Sequence, residues 1–249
     1  MKKLAKLYCF FAILYGRLLA STSQDEIMSV VIKNITKPEI RGFLNFIAYC
    51  EGTMNKDEYY KRPDKYVIPI DEYKICFMYN KANSLKCHPN KIYTNGNISS
   101  SASGRYQFLK STWDDIYENM LIKNNNIFKN KKTRKEINKV FKNINNFYKG
   151  ASKIYKKKSD LVSITFGPFM QDAGAIYLLA ERDVIADIEN GNYSKAIQTL
   201  APTWASLPAN KRNKKSFYVG QWAKMHHKGA INKCKSMIIN EKRIYRIKI

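Results

Sequence analysis

Glu51 is the residue of this sequence whose position best suits it to chemistry. Ile40, Phe43, Leu44, Ile47 and Ala48 fall on the spacing of one helical face, and position 51 continues that line. A carboxyl group there lies in line with the core-facing side, on the last turn of its helix. Partial burial disfavours its charged form, and so does the negative end of the helix dipole. Both raise the pKa, and a carboxylic acid still protonated near neutral pH can give its proton to a leaving oxygen. The stripe alone leaves a second arrangement open, in which Glu51 turns into solvent at a frayed helix end.

A helix must present that carboxyl. Thr36-Lys37-Pro38-Glu39 reads as its start: Thr36 as cap, Glu39 three residues on as in a capping box, and Pro38 in the first turn. Gly52 is a natural stop. Residues 53–65 are polar and turn-like. Tyr73, Ile75, Phe77 and Tyr79 then alternate with Lys74, Cys76 and Met78, which predicts a half-buried strand. Tyr66-Val67-Ile68 is its candidate partner and Lys91-Ile92-Tyr93 a third strand, while residues 95–103 read as a Gly/Ser/Asn loop. A second helix is predicted from Tyr106, with Phe108, Leu109, Thr112, Trp113, Ile116, Tyr117 and Met120 on helical spacing. Helical patterns return over 168–189, 192–201 and 222–239. The sequence thus predicts an α+β arrangement, mostly helical with a small β element and no internal repeat.

The 249 residues allow one domain with insertions or two small ones, and 45% apolar residues suffice for a normal core. Lys and Arg number 44 against 20 acids, a formal charge of +24. Such a chain is drawn to polyanions such as nucleic acid, teichoic acids, lipopolysaccharide or anionic lipid. Biased use of Lys and Asn accounts for the same numbers, so charge alone selects no partner. The excess is concentrated in residues 123–158, with 13 Lys/Arg, the single acid Glu136 and eight Asn. This segment reads as a basic insertion, with a helix around 135–147. Residues 1–20 read as an export signal: a basic start, an apolar run from Leu7 to Gly16, and Ala20 as the small residue before cleavage. Export to the periplasm or the extracellular space is expected, and an uncleaved anchor is the alternative. Outside the signal lie Cys50, Cys76, Cys87 and Cys234; export permits disulfides, and the short separation favours Cys76 with Cys87. No Cys/His spacing suggests a metal site.

Ala48-Tyr49-Cys50-Glu51-Gly52-Thr53 resembles the segment around the catalytic glutamate of the lambda-phage-type endolysins, which are lytic transglycosylases with a lysozyme-like fold. Four further blocks follow in that family's order. Ser103-Gly104-Arg105-Tyr106-Gln107-Phe108-Leu109, then Trp113-Asp114, is close to its Gly-Arg-Tyr-Gln helix start. Phe166-Gly167-Pro168-Phe169-Met170-Gln171-Asp172-Ala173 resembles its Pro-x-x-Gln-Asp start. Trp204-Ala205-Ser206-Leu207-Pro208 is near-identical to its Trp-Ala-Ser-Leu-Pro block, and Tyr218-Val219-Gly220-Gln221 matches the Tyr-Gly-Gln region with one extra residue. The resemblance covers roughly residues 39–122 and 160–238. It departs at Leu85-Lys86-Cys87-His88-Pro89-Asn90, where the family has Ser-Asp-His-Pro-Arg, and at Cys50, which replaces a small polar residue.

The resemblance implies one lysozyme-like catalytic domain over residues 21–249, with a small antiparallel sheet beside the active-site cleft and no cofactor. It implies Glu51 as the catalytic acid and His88, Arg105, Tyr106, Gln107, Gln171, Tyr218 and Gln221 as contacts to peptidoglycan glycan strands. Structural roles are open beside these: a turn at Gly104 and at His88, core packing for Trp113 and Trp204, and helix bracing for Gln171 and Asp172. The implied mechanism uses one carboxyl group. Glu51 protonates the glycosidic oxygen between N-acetylmuramic acid and N-acetylglucosamine, and the carboxylate then takes the proton of the C6 hydroxyl. That hydroxyl attacks C1 of its own ring to give a 1,6-anhydro product. A hydrolase would need a second acid about 5–9 Å away, and Asp64, Asp71 and Glu72 are candidates by position. A non-catalytic alternative is a basic protein that binds anionic wall polymer or a membrane surface through residues 123–158, where Phe128, Phe141, Phe147, Tyr148 and Tyr155 interleave with lysines. Nucleic acid is not expected as a partner, since no recognised nucleic-acid motif is present and the chain carries an export signal.

Overall fold

A computed structural model describes residues 24–121, 131–209, 214–218 and 221–248. Residues 1–20, read above as an export signal, and residues 123–130 lie outside them. The helices are α1 (Gln24–Ile35), α2 (Pro38–Glu51), α3 (Lys56–Lys61), α4 (Lys110–Leu121), α5 (Lys131–Lys142), α6 (Ile144–Phe147), α7 (Asp160–Ser163), α8 (Pro168–Glu181), α9 (Ile185–Glu189), α10 (Tyr193–Leu200) and α11 (His227–Lys248). The short strands are β1 (Ile68–Pro69), β2 (Tyr93–Asn95), β3 (Ile98–Ser100) and β4 (Tyr148–Lys149).

Helix α2 carries the predicted stripe. Ile40, Phe43, Leu44, Ile47 and Ala48 are all buried, and so are the intervening Arg41, Asn45 and Phe46. The helix starts one residue later than expected. Lys37 is the cap residue and makes no side-chain cap bond, so the Thr36/Glu39 capping box does not form. Glu39 pairs instead with Lys242 at 2.8 Å. Pro38 takes the first helical position, where a missing N–H costs nothing. Gly52 ends the helix in the left-handed region at φ 77°, as its lack of a Cβ allows.

Helix α11 runs antiparallel to α2: Glu39 meets Lys242, Asn45 meets Glu241 and Lys233 lies over the Tyr49 ring. The two backbones come so close that a Cβ at Gly42 would lie 2.5 Å from the Ile238 Cα. The other wall of the core is α8, whose Phe169, Met170, Ala173, Ala175, Ile176 and Leu179 are fully buried. The predicted helix over 168–189 is broken in two because Asp183, at φ 53°, reverses the chain between α8 and α9.

The β content is smaller than the alternation of residues 73–79 predicts. That stretch forms two 3-10 turns, Ile70–Lys74 and Phe77–Tyr79, with isolated bridges at Ile75 and Cys76. Met78 and Tyr79 both have positive φ, which no strand tolerates. Ile68 pairs in parallel with Tyr148, not with the 73–79 stretch. The antiparallel element is a hairpin, β2 with β3: β2 begins at Tyr93, the end of the expected third strand, and β3 lies within the stretch read as a loop. The second helix begins at Lys110, not Tyr106, because residues 103–108 form a tight turn closed by the Ser103–Phe108 bridge. Leu109 is consequently exposed, whereas Trp113, Ile116 and Met120 are buried as expected.

The basic segment is not an appendage. Ile137, Val140, Ile144, Tyr148, Ala151 and Tyr155 are all buried in the main core. Lys135, Lys139 and Lys142 lie on the outer face of an amphipathic helix, and the apolar residues of the segment hold the scaffold together. Cys50, Cys76, Cys87 and Cys234 are all free thiols. The expected Cys76–Cys87 bond does not form: Cys76 is buried with its sulfur 3.6 Å from the Lys74 carbonyl, while Cys87 is exposed.

Candidate active site

Glu51 stands at the C-terminal end of α2, the negative end of the helix dipole. Its side chain neither joins the core nor frays into solvent: the residue is half-buried, and one carboxyl oxygen accepts a 2.5 Å bond from the Ser206 hydroxyl. Burial pushes its pKa up to about 7, and the Ser206 bond acts in the opposite direction by favouring the carboxylate. A carboxyl with that pKa is present in both protonation states near neutral pH, as a group that first gives and then takes a proton requires.

The turn after Glu51 is tied to the Gly-Arg-Tyr-Gln block. Thr53 is buried, and its hydroxyl donates to the Arg105 carbonyl at 2.5 Å. Gly104 sits at φ 80°, and a Cβ there would overlap the Gln171 carboxamide oxygen. That oxygen accepts the Arg105 N–H at 2.8 Å, while the Gln171 Nε2 donates to the Tyr73 and Phe166 carbonyls at 3.0 and 2.7 Å. Trp204, also buried, donates its indole N–H to the Tyr106 carbonyl at 3.1 Å. The same loop carries Ser206, and the Lys224 N–H holds the Ser206 carbonyl at 2.8 Å. Ser206 therefore reaches Glu51 from a loop fixed at both sides.

Beneath this lies a fully buried polar cluster. The Arg105 guanidinium donates to Glu72 at 2.9 Å, to Asn45 at 2.7 Å and to the Tyr106 hydroxyl at 2.9 Å. Tyr106, Tyr73 and Tyr148 donate to the Asp172 carboxylate at 2.7, 2.8 and 2.9 Å. Burial and the Asp172 charge raise all three phenols well above their ordinary pKa, which keeps them neutral donors. Arg105 thus offsets the Glu72 charge, and three neutral hydroxyls stabilise the Asp172 carboxylate inside a water-poor core.

A cavity of about 970 Å³ opens directly beyond Glu51. Gly52, Thr53 and Met54 form its near end, Ile75 and Tyr79 one wall, and Lys149 and Ile154 of the basic segment another. Phe217, Tyr218 and Trp222 are exposed aromatic side chains close in sequence to the Ser206 loop. No group of three His, Cys, Asp or Glu side chains is gathered for a metal among the described residues.

A family model described as Endolysin matches residues 41–130 and 139–230. The chain belongs to the endolysin family. Among curated proteins it is similar to the endolysin of Escherichia phage lambda, 25% identical over 169 residues, covering 68% of this chain and 76% of that one. The endolysin of Escherichia phage P2 is 27% identical over 175 residues, covering 70% and 81%. Among solved structures, bacteriophage lambda lysozyme complexed with a chitohexasaccharide superposes with a TM-score of 0.52 at 22% identity, covering 80% of this chain and 94% of that one. The fold is thus the expected lysozyme-like α+β. The two matched stretches leave residues 131–138, inside the basic segment, between them.

The residues expected to contact glycan divide into two groups. Arg105, Tyr106 and Gln171 are fully buried and bonded to protein, as described above. His88 is buried too: its Nε2 meets the Phe108 carbonyl at 3.0 Å, and its Nδ1 accepts the Asn90 N–H at 3.1 Å. Burial lowers its pKa, so it is a neutral turn-builder and not an acid. Gln107 is half-buried and donates to the Ile75 and Gly104 carbonyls at 3.1 and 2.9 Å. These five side chains hold the loops that flank Glu51, and all but Gln107 are buried away from a sugar. Tyr218 and Gln221 are exposed, although the Tyr218 hydroxyl donates to the Pro202 carbonyl at 2.6 Å. Ser206, the one side chain bonded to Glu51 among the described residues, is absent from the expected contacts, although it lies inside the Trp-Ala-Ser-Leu-Pro block.

Replacing Ser206 by alanine removes the one interaction that favours the charged carboxylate. The alkaline limb of the pH–rate profile should then move above pH 7, by roughly 1–2 units for a hydrogen bond to a charged group. A profile unchanged in position would show that Ser206 does not set the acidity of Glu51.

Proposed function

We infer that this protein is a lytic transglycosylase, which cleaves the bond between N-acetylmuramic acid and N-acetylglucosamine with Glu51 as acid and then as base. Membership of the endolysin family and the lysozyme-like fold support the coarser activity, degradation of peptidoglycan by a glycosidase. The finer reading is carried by the solitary state of the Glu51 carboxyl. Burial and a neutral hydroxyl set its pKa. Glu72 is consumed by Arg105, Tyr66 and the Asn55 N–H inside the core. Asp71 is exposed and paired with Lys74 at 3.2 Å. The Asp64 side chain lies outside those described. Retaining and inverting hydrolysis both need a second carboxyl across the scissile bond. A single carboxyl suffices when the C6 hydroxyl of the substrate is the nucleophile, because it is already held beside C1 in the same ring.

Peptidoglycan digested with the purified protein should yield muropeptides ending in 1,6-anhydromuramic acid, one water lighter than hydrolysis products by mass spectrometry. Mainly reducing-end muramic acid would overturn the reading and direct attention to Asp64 and Asp71.

A further inference from the structure

The cavity beyond Glu51 has the chemistry of a charged-peptide site more than that of a sugar site. A groove for neutral sugars offers flat aromatic faces and uncharged hydrogen-bonding groups. This one offers a single aromatic side chain, Tyr79, among lysines and carboxylates. Lys74 and Lys149 carry ion pairs to Asp71 at 3.2 Å and to Glu58 at 2.7 Å. Both pairs are solvent-exposed, so each is weak and exchangeable with a charge on a ligand. Lys56 lies 4.9 Å above the Tyr49 ring. Lys81 and Lys153 line the cavity, are exposed, and have no carboxylate partner among the described residues.

We propose that this cavity binds the peptide stem carried by the muramic residue of the substrate, a short chain bearing both free carboxylates and an amine. The proposal rests on the glycosidase reading given above. Three observations support it. The cavity begins at Gly52, next to Glu51, and the stem leaves the glycan from the very sugar whose linkage Glu51 would protonate. Its volume, about 970 Å³, is near the top of the range of small-ligand pockets, about 300–1,000 Å³, and accommodates several peptide residues. Its charges alternate in sign: Lys81 and Lys153 suit the carboxylates, and Asp57 and Glu58 suit the amine. A site for a uniform polyanion would not line its wall with those acids. Lys149, Lys153 and Ile154 come from the basic segment, which therefore serves the cleft itself and not only the outer surface.

The test compares two probes, glycan strands with intact stems and the same strands stripped of stems by an amidase. For the wild-type protein kcat/KM should be about 2- to 30-fold higher on the stem-bearing strands, the size expected from two weak charge pairs acting together. In the double variant K81Q/K153Q that ratio should fall close to one, chiefly through KM on stem-bearing strands. Both lysines are exposed, so the fold is retained. Equal wild-type rates on the two probes, or a double variant that keeps the full ratio, would overturn the stem site alone. Cleavage of neither probe overturns the glycosidase reading together with it.

Discussion

Glu51→Gln is expected to lower peptidoglycan turnover by about a thousandfold, within the range of about 10²–10⁴ contributed by a positioned general acid. Glutamine keeps the shape and can still accept the Ser206 bond, but it has no proton to deliver to the leaving oxygen. Wild-type activity should fall as pH rises through about 7, as the carboxyl ionises, and the residual activity of E51Q should lack that limb. The same group has a consequence for stability. Its pKa is raised from 4.5 to about 7 by folding, so the native state holds a proton that the unfolded state has lost between those values. Its favourable contribution is full below pH 4.5 and is lost as pH rises through 7. E51Q removes that dependence, so at pH 8 the variant should be more stable than wild type by up to about 3 kcal/mol. Near wild-type turnover in E51Q would reject the mechanism. An unchanged stability difference between pH 5 and pH 8 would show that Glu51 is not buried enough to be an acid at neutral pH.

The helix that presents this carboxyl was legible because its signals are local. An apolar stripe fixes which face of α2 is buried, and a glycine that can adopt positive φ fixes where the helix stops. The strand expected over residues 73–79 fails for the opposite reason. Its apolar alternation does not carry over into burial: Tyr73 and Cys76, three residues apart, are buried, whereas Phe77 is half-buried and Tyr79 exposed, because two successive tight turns reverse the chain there. The Gly-Arg-Tyr-Gln block could be found in the sequence, but its work could not. Polar side chains beside a flexible loop look the same whether they face a ligand or close a network, and the partners of Arg105 lie 33 and 60 residues away. Ser206 was hidden likewise, because its meeting with Glu51 joins positions 155 residues apart. In the basic segment the excess of lysine concealed an apolar stripe, Ile137, Val140 and Ile144, which anchors it to the core.

Arg105→Met should destabilise the protein by about 3–5 kcal/mol, the usual cost of leaving one member of a buried ion pair without its partner. The guanidinium is fully buried and bonded to Glu72, Asn45 and the Tyr106 hydroxyl, each from a different part of the chain. Methionine fills much of the volume but leaves the Glu72 carboxylate facing only the Tyr66 hydroxyl and the Asn55 N–H. Asn45 would lose the donor to its oxygen while its amide stays bound to Glu241 at 2.8 Å. At this chain length each kcal/mol corresponds to about 2–4 °C, so Tm should fall by roughly 6–20 °C. R105M/E72Q should recover part of the loss, since the double change removes both charges. The main-chain bonds from Thr53 to the Arg105 carbonyl and from the Arg105 N–H to Gln171 do not involve the lost side chain. Well below its Tm, R105M should therefore keep kcat within about threefold of wild type, because Arg105 supports the loops flanking Glu51 and does not touch the reacting groups. A small change in Tm with a large loss of kcat would reverse that assignment and make Arg105 a participant in the chemistry.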